Sequence, residues 1–171
     1  MGSSVKRRSR RYNVGVSMVN EDMKIKGLVT VEIVRVDGTR EILAENKPNL
    51  LTNSGRDWIH GQVYNTGTTN QAKYIGLTTD AGAANAADTT LTGEISTNGL
   101  TRVAGTPSHS GGTNTTTITA AFTAAGSFTA VQKTALFTQV SGGTMVHENT
   151  FTSVNMQSGD VLNVTWTITA G

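Results

Sequence analysis

Cysteine is missing from all 171 residues, which removes a disulfide framework, a thiol nucleophile and any thiolate-held zinc. The redox compartment is left open. Proline occurs twice, aromatic side chains make up 5% and hydrophobic residues 36%, which is little for an enzyme enclosing a deep apolar cleft. No apolar run is long enough to cross a bilayer as a helix. The basic N-terminus also lacks the apolar segment that follows the charges of a secretory signal, so synthesis in the cytoplasm without membrane contact is expected. Threonine, asparagine, serine and 19 glycines fill the chain instead, a strand-and-turn composition. At this length one domain is enough to bury a core.

Charge is divided unevenly. The net value is +2, from 14 Lys and Arg against 12 Asp and Glu, yet Lys6, Arg7, Arg8, Arg10 and Arg11 all precede the first acid, Glu21. Without those five cations the remainder has nine positives against twelve negatives, or −3. The high pI therefore belongs to a tail. Residues 1–20 have neither a helical nor an alternating period and read as an extended basic arm, and residues 21–171 as a single domain.

The domain opens with β-branched alternation over Gly27 to Val36, then Asp37-Gly38, a dipeptide suited to a tight type I′ turn, and a return strand over Thr39 to Ala44. Lys47-Pro48-Asn49 is expected to break the strand. The segment NLLTNSGRDWIHGQVY reads as the one short helix, with Ser54 and Asp57 as a weak capping pair and Trp58 buried. From Tyr64 the rhythm is strand and loop: KYIGLTT, EISTNGLTRVAG, TTTITAAFTA, GSFTAVQKTALFTQV, TMVHENTFTSVN and VLNVTWTITAG as strands, with PSHSGGTN, SGG and QSGD as turns. In the last strand Leu162, Val164, Trp166 and Ile168 alternate with Asn163, Thr165 and Thr167, so one face is buried and one polar. The expected fold is mainly β: an antiparallel β-sandwich with an N-terminal hairpin, one short helix and the extended arm.

Residues with chemical potential do not form a reactive pattern. Asp80, Asn85, Asp88 and Glu94 in the loop DAGAANAADTTLTGE depart from a calcium-loop spacing, and no helix with a lysine follows to make a phosphate loop. These residues read as turn formers. His60 is expected on the helix surface and His109 in a loop, while His147 and Glu148, adjacent on a strand, should face opposite sides and so not act as an acid/base pair. No G-x-S-x-G elbow is present. No catalytic residue, cofactor or metal is expected, and the chain reads as a non-enzyme.

The ordered series of hairpin, N-L-x-T-N-x-G-x-D (Asn49 to Asp57), Y-I-G-L (Tyr74 to Leu77), D-T-x-L-x-x-E (Asp88 to Glu94) and G-D-x-L-x-V-T-W (Gly159 to Trp166) resembles small structural proteins of tailed bacteriophage virions. These are labelled tail-fibre-like, minor structural or head-decoration proteins. The resemblance runs from about residue 27 to the end and brings no catalytic residues. It implies a β-sandwich that works by being held in an assembly: attached to the capsid as a decoration or cement protein, or to the neck or tail, as an oligomer in the virion. The arm then anchors it, with Lys6, Arg7, Arg8, Arg10 and Arg11 pairing with acidic groups of capsid, neck or tail subunits and Val14, Val16, Met18 and Val19 as apolar anchors. The alternative is a receptor-binding or tail-fibre adhesin touching the host surface through the loops at 64–72, 79–93 and 105–114, though only Tyr64 and Tyr74 lie near them to stack on sugars. Nucleic-acid contact through the arm ranks lower, because Tyr12 is its sole aromatic and the body is acidic.

Overall fold

The computed structural model describes residues 24–64 and 70–170. The arm, with all nine proposed partner-binding residues, lies outside this range. In chain order the elements are β1 (Ile25–Val34), β2 (Arg40–Pro48), β3 (Leu50–Leu51), α1 (Asn53–Tyr64), β4 (Tyr74–Thr78), β5 (Val103–Ala104), β6 (Thr106–His109), β7 (Thr115–Thr123), β8 (Phe128–Phe137), β9 (Met145–Met156) and β10 (Val161–Ala170). They form two five-stranded antiparallel sheets in a sandwich-like arrangement, ordered β2-β1-β10-β7-β6 and β3-β9-β8-β4-β5.

The first sheet follows from alternation. Val29, Val31 and Ile33 of β1 lie opposite Trp166, Val164 and Leu162 of β10, which in turn face Ile118, Ala120 and Phe122 of β7. One apolar face therefore runs across three strands, with the threonines on the other. It packs against Ile75, Leu77, Val131, Leu136, Phe151, Val154 and Met156 of the second sheet to give one continuous core. Trp166 is fully buried at its centre. The chain changes sheets at Asn49, whose N–H donates to the Gly27 carbonyl at 2.9 Å. It changes again at Gly105, where an added Cβ would lie 2.7 Å from Ile118 Cγ2 and 3.1 Å from the Thr119 carbonyl.

The second sheet is covered on its outer side as well. Residues 79–102 cross that face, and Leu91 packs there on Ala135, Phe137 and Met145, a second small core beneath the loop. Hydrophobic residues on both faces of β8 are the reason: Leu136 faces the main core while Ala135 and Phe137 face the loop.

Several local expectations need correction. Asp37 does not have the positive φ that a type I′ turn requires; Gly38 alone does, at +85°, and its N–H closes a turn on the Arg35 carbonyl at 2.9 Å. The hairpin thus turns over Arg35–Gly38. The break expected at Lys47-Pro48-Asn49 falls at Asn49, and Pro48 is still the last residue of β2, on the sheet's edge, where its missing N–H costs no ladder bond. EISTNGLTRVAG is mostly irregular, with only an isolated Glu94–Thr78 bridge and β5, because its residues serve the covering loop. His109 sits on strand β6 rather than in a loop.

The helix cap is Thr52, not Ser54. Its Oγ1 accepts the Gly55 N–H at 2.9 Å and donates to the Met145 carbonyl at 2.5 Å, while its own N–H reaches the Val146 carbonyl at 3.0 Å. One buried threonine both starts α1 and fastens it to β9. Gly55 is required beside it, since a Cβ there would strike the Val146 carbonyl. Replacing Thr52 with alanine is expected to cost about 1–2 kcal/mol in urea unfolding, with serine at the same position recovering most of it.

Candidate functional site

Two regions gather the groups that sequence reasoning singled out: the clamped loop over the second sheet and the open end of the sandwich near the start of β1.

The loop is held by charge. Asp80 pairs with Lys133 at 2.6 Å, and Glu94 pairs with Arg102 through both carboxylate oxygens. Arg102 also donates to the carbonyls of Gln139 at 3.1 Å and Gly142 at 2.8 Å, and its guanidinium lies 3.4 Å over the Phe137 ring. Its planar fork therefore satisfies a carboxylate and two carbonyls while its face covers an aromatic. The Lys133 hydrogen bond, helped by the Gly82 backbone, holds the Asp80 carboxyl below its ordinary value. Glu148 is buried beneath the same loop, where its Oε1 accepts the Asn85 N–H at 2.5 Å. Burial pushes its carboxyl up, the Asn85 N–H opposes this, and the neighbouring Asp88 carboxyl adds to the rise. Asp80, Asp88 and Glu94 thus fasten a covering loop to the sheet. Among the described residues, no three histidine or acidic side chains converge as a metal site.

A similar junction lies at the hairpin end, where Asp160 accepts from Arg35 Nη1 at 2.9 Å, the Val36 N–H at 3.2 Å and the Gln157 N–H at 2.9 Å. Burial raises its carboxyl, but these donors together outweigh it and leave the group below its ordinary value. Every strongly buried carboxylate so far described has a structural partner.

His147 and Glu148 do face opposite sides. His147 points into the main core and stacks on Trp166, ring centres 6.0 Å apart. Burial depresses the imidazole to about 4, against a smaller opposing effect of the Leu50 backbone. Its Nδ1 has no hydrogen-bond partner among the described residues. It lines a cleft of about 320 Å³ between the sheets, walled by Ile25, Trp58, Ala72, Ile118 and Leu136. Trp58 is half-buried rather than buried, and its Nε1 also lacks a partner among the described residues. This cleft went unseen in the sequence, because its walls come from both sheets and α1 and only the fold brings them together.

His109 is exposed on β6, with Nδ1 2.9 Å from the Thr115 carbonyl, and the side chain of His60 lies outside the described residues. Lys6, Arg7, Arg8, Arg10, Arg11, Val14, Val16 and Met18 likewise lie outside them. What the structure does place is the point where the arm joins: Ile25, the first residue of β1, stands in the cleft wall and pairs with Ala170 at the far end of β10. Compared with family models, curated proteins and solved structures, the chain has no match in any of the three.

Two outcomes are expected. Arg102→Lys cannot keep the bidentate pair, both carbonyl bonds and the ring contact together, so it should lose about 2 kcal/mol and speed hydrogen exchange across 79–102 more than in β1 and β10. For His147, a folded value of about 4 against 6.5 unfolded means stability is intact above pH 6.5 and falls as the pH drops towards 4. The loss is on the order of 3 kcal/mol. Urea unfolding at successive pH values should show this slope in the wild type and a flatter one in His147→Gln. Glu148, with its raised value, acts in the opposite sense, its contribution fading as pH rises past 4.5, so the comparison is best repeated with Glu148→Gln.

Proposed function

We propose that this protein is a non-enzymatic structural component of a tailed-phage virion, attached to the capsid surface or to the neck or tail and anchored by its N-terminal arm. The observation that carries the reading is the separation of charge: five cations within the first eleven residues precede a body of net charge −3. A cationic leader on an acidic body finds acidic surfaces on other subunits while like bodies repel one another weakly. The resemblance of residues 27–171 to phage structural proteins supports the same reading.

The body's own chemistry is consistent with holding rather than reacting. Its buried ionic groups Lys133, Arg102 and Asp160 are each committed to a partner that fastens one segment to another. In this role Lys6, Arg7, Arg8, Arg10 and Arg11 supply charge-assisted hydrogen bonds to a capsid, neck or tail subunit, and Val14, Val16 and Met18 supply apolar contact. Copies of the chain sit side by side in the particle. The adhesin reading is less favoured, because the 79–93 loop lies packed on the second sheet through Asp80, Glu148 and Leu91 and is not free to mould itself to a receptor.

The test is loading onto particles assembled without this protein. Full-length chain should decorate them, and a variant with Arg7, Arg8, Arg10 and Arg11 changed to glutamate should fail to do so at the same concentration. Full occupancy by that variant, seen by electron microscopy, would falsify arm-based anchoring.

A further inference from the structure

The cleft at the open end of the sandwich has an unusual combination of features. Its exposed wall is almost wholly apolar, yet two of the residues that line it, His147 and Trp58, each carry a buried ring nitrogen, Nδ1 and Nε1, with no partner among the described residues. A buried polar atom left unpaired costs about 1–3 kcal/mol, so an occupant with both apolar side chains and hydrogen-bonding groups fits better than pure hydrocarbon. A peptide has both. An uncharged imidazole can meet a backbone N–H, and an indole N–H can meet a backbone carbonyl.

We propose that the occupant is this chain's own N-terminal arm, with the apolar stretch Val14 to Val19 laid across the cleft and Met18 inserted between the sheets. Two observations select it over other occupants. The arm is attached at the rim, since Ile25 is a wall residue and the chain outside the structure ends one residue before Lys24. Six residues separate Met18 from Ile25, and among them Asn20, Glu21 and Asp22 include the turn-forming types that let a chain double back. Extended, six residues reach about 20 Å, which leaves slack for a reversal close to Ile25. A tether this short holds the stretch near its socket at a millimolar-scale effective concentration, which a separate ligand or second copy has to exceed.

The cleft also sorts the arm. At about 320 Å³ it takes a few aliphatic side chains and no more. Lys6, Arg7, Arg8, Arg10 and Arg11 stay outside, because an unpaired cation among Ile25, Ile118 and Leu136 is far too costly. Seating Val14 to Val19 would hold the basic block at one end of the sandwich instead of leaving it on a loose leader. This inference concerns the chain before it meets a partner and stands independently of the virion role.

The two tryptophans give the readout. Trp166 is fully buried, so acrylamide quenching of the full-length protein reports mainly on Trp58. Val16→Asp with Met18→Asp should raise the quenching constant and shift emission to longer wavelength, whereas Arg7→Asp should leave both unchanged. The difference should disappear in a Trp58→Phe background, and a synthetic peptide of residues 12–22 should restore protection to the double variant. Equal quenching of wild type and double variant overturns the proposal. Protection that is lost as the wild type is diluted also overturns it, in favour of the arm of a second copy. A thermal melt of the double variant close to that of wild type shows that the body is intact.

Discussion

Where residues 134–137 of β8 pair with residues 145–149 of β9, the second sheet has no face left for water. Its inner side meets the first sheet through Ile75, Leu77 and Leu136, and its outer side carries Ala135, Phe137 and Met145, which need a cover. A loop rich in glycine, alanine and threonine has too few large apolar side chains to bind such a surface by burial alone, and Leu91 is its main contribution. Ion pairs do the rest. Because they are sunk under the loop, Lys133 and Arg102 must have matched partners, and Asp80 and Glu94 stand where they do for that reason. The acidic residues that make the loop look like a ligand cradle are the fastenings of a third layer.

How much of this was legible depended on whether a feature was local. Alternation in β1 and β10 pointed to buried and polar faces, and the structure places Val29, Val31, Ile33, Leu162, Val164 and Trp166 in the core accordingly. Adjacent His147 and Glu148 on opposite faces follow from the same two-residue period. Failures cluster where tertiary contacts override local signals. Thr52 takes the helix cap from Ser54 because the carbonyls of Met145 and Val146 are waiting on β9. Residues 94–104 forgo most strand pairing because Glu94 and Arg102 are engaged with each other over Phe137. The cleft could not be foreseen, since Ile25, Trp58 and His147 are far apart in sequence and no spacing rule relates them.

One strand also gathers chemistry of opposite kinds. Within two residues β9 sends an imidazole into an apolar interior and a carboxyl under a polar lid, and each environment disfavours the charged form. His147 is thus kept neutral by burial in the core while the Glu148 carboxyl is raised by burial under the loop, two separate effects on opposite faces of one strand. A perturbed titratable group is often a sign of catalysis, but here the perturbation follows from position in a three-layer stack. The His147 environment becomes functionally interesting through the space beside it.

The outer strands of both sheets are poor templates for another chain. In the second sheet the flanking strands β3 and β5 are two residues each, and in the first the flanking β2 ends in Lys47-Pro48 while β6 carries Pro107. Short length, a cation and prolines all discourage further ladder growth. Crowding such a body therefore offers little edge for one copy's ladder to continue into the next, which lowers its tendency to grow into fibrils.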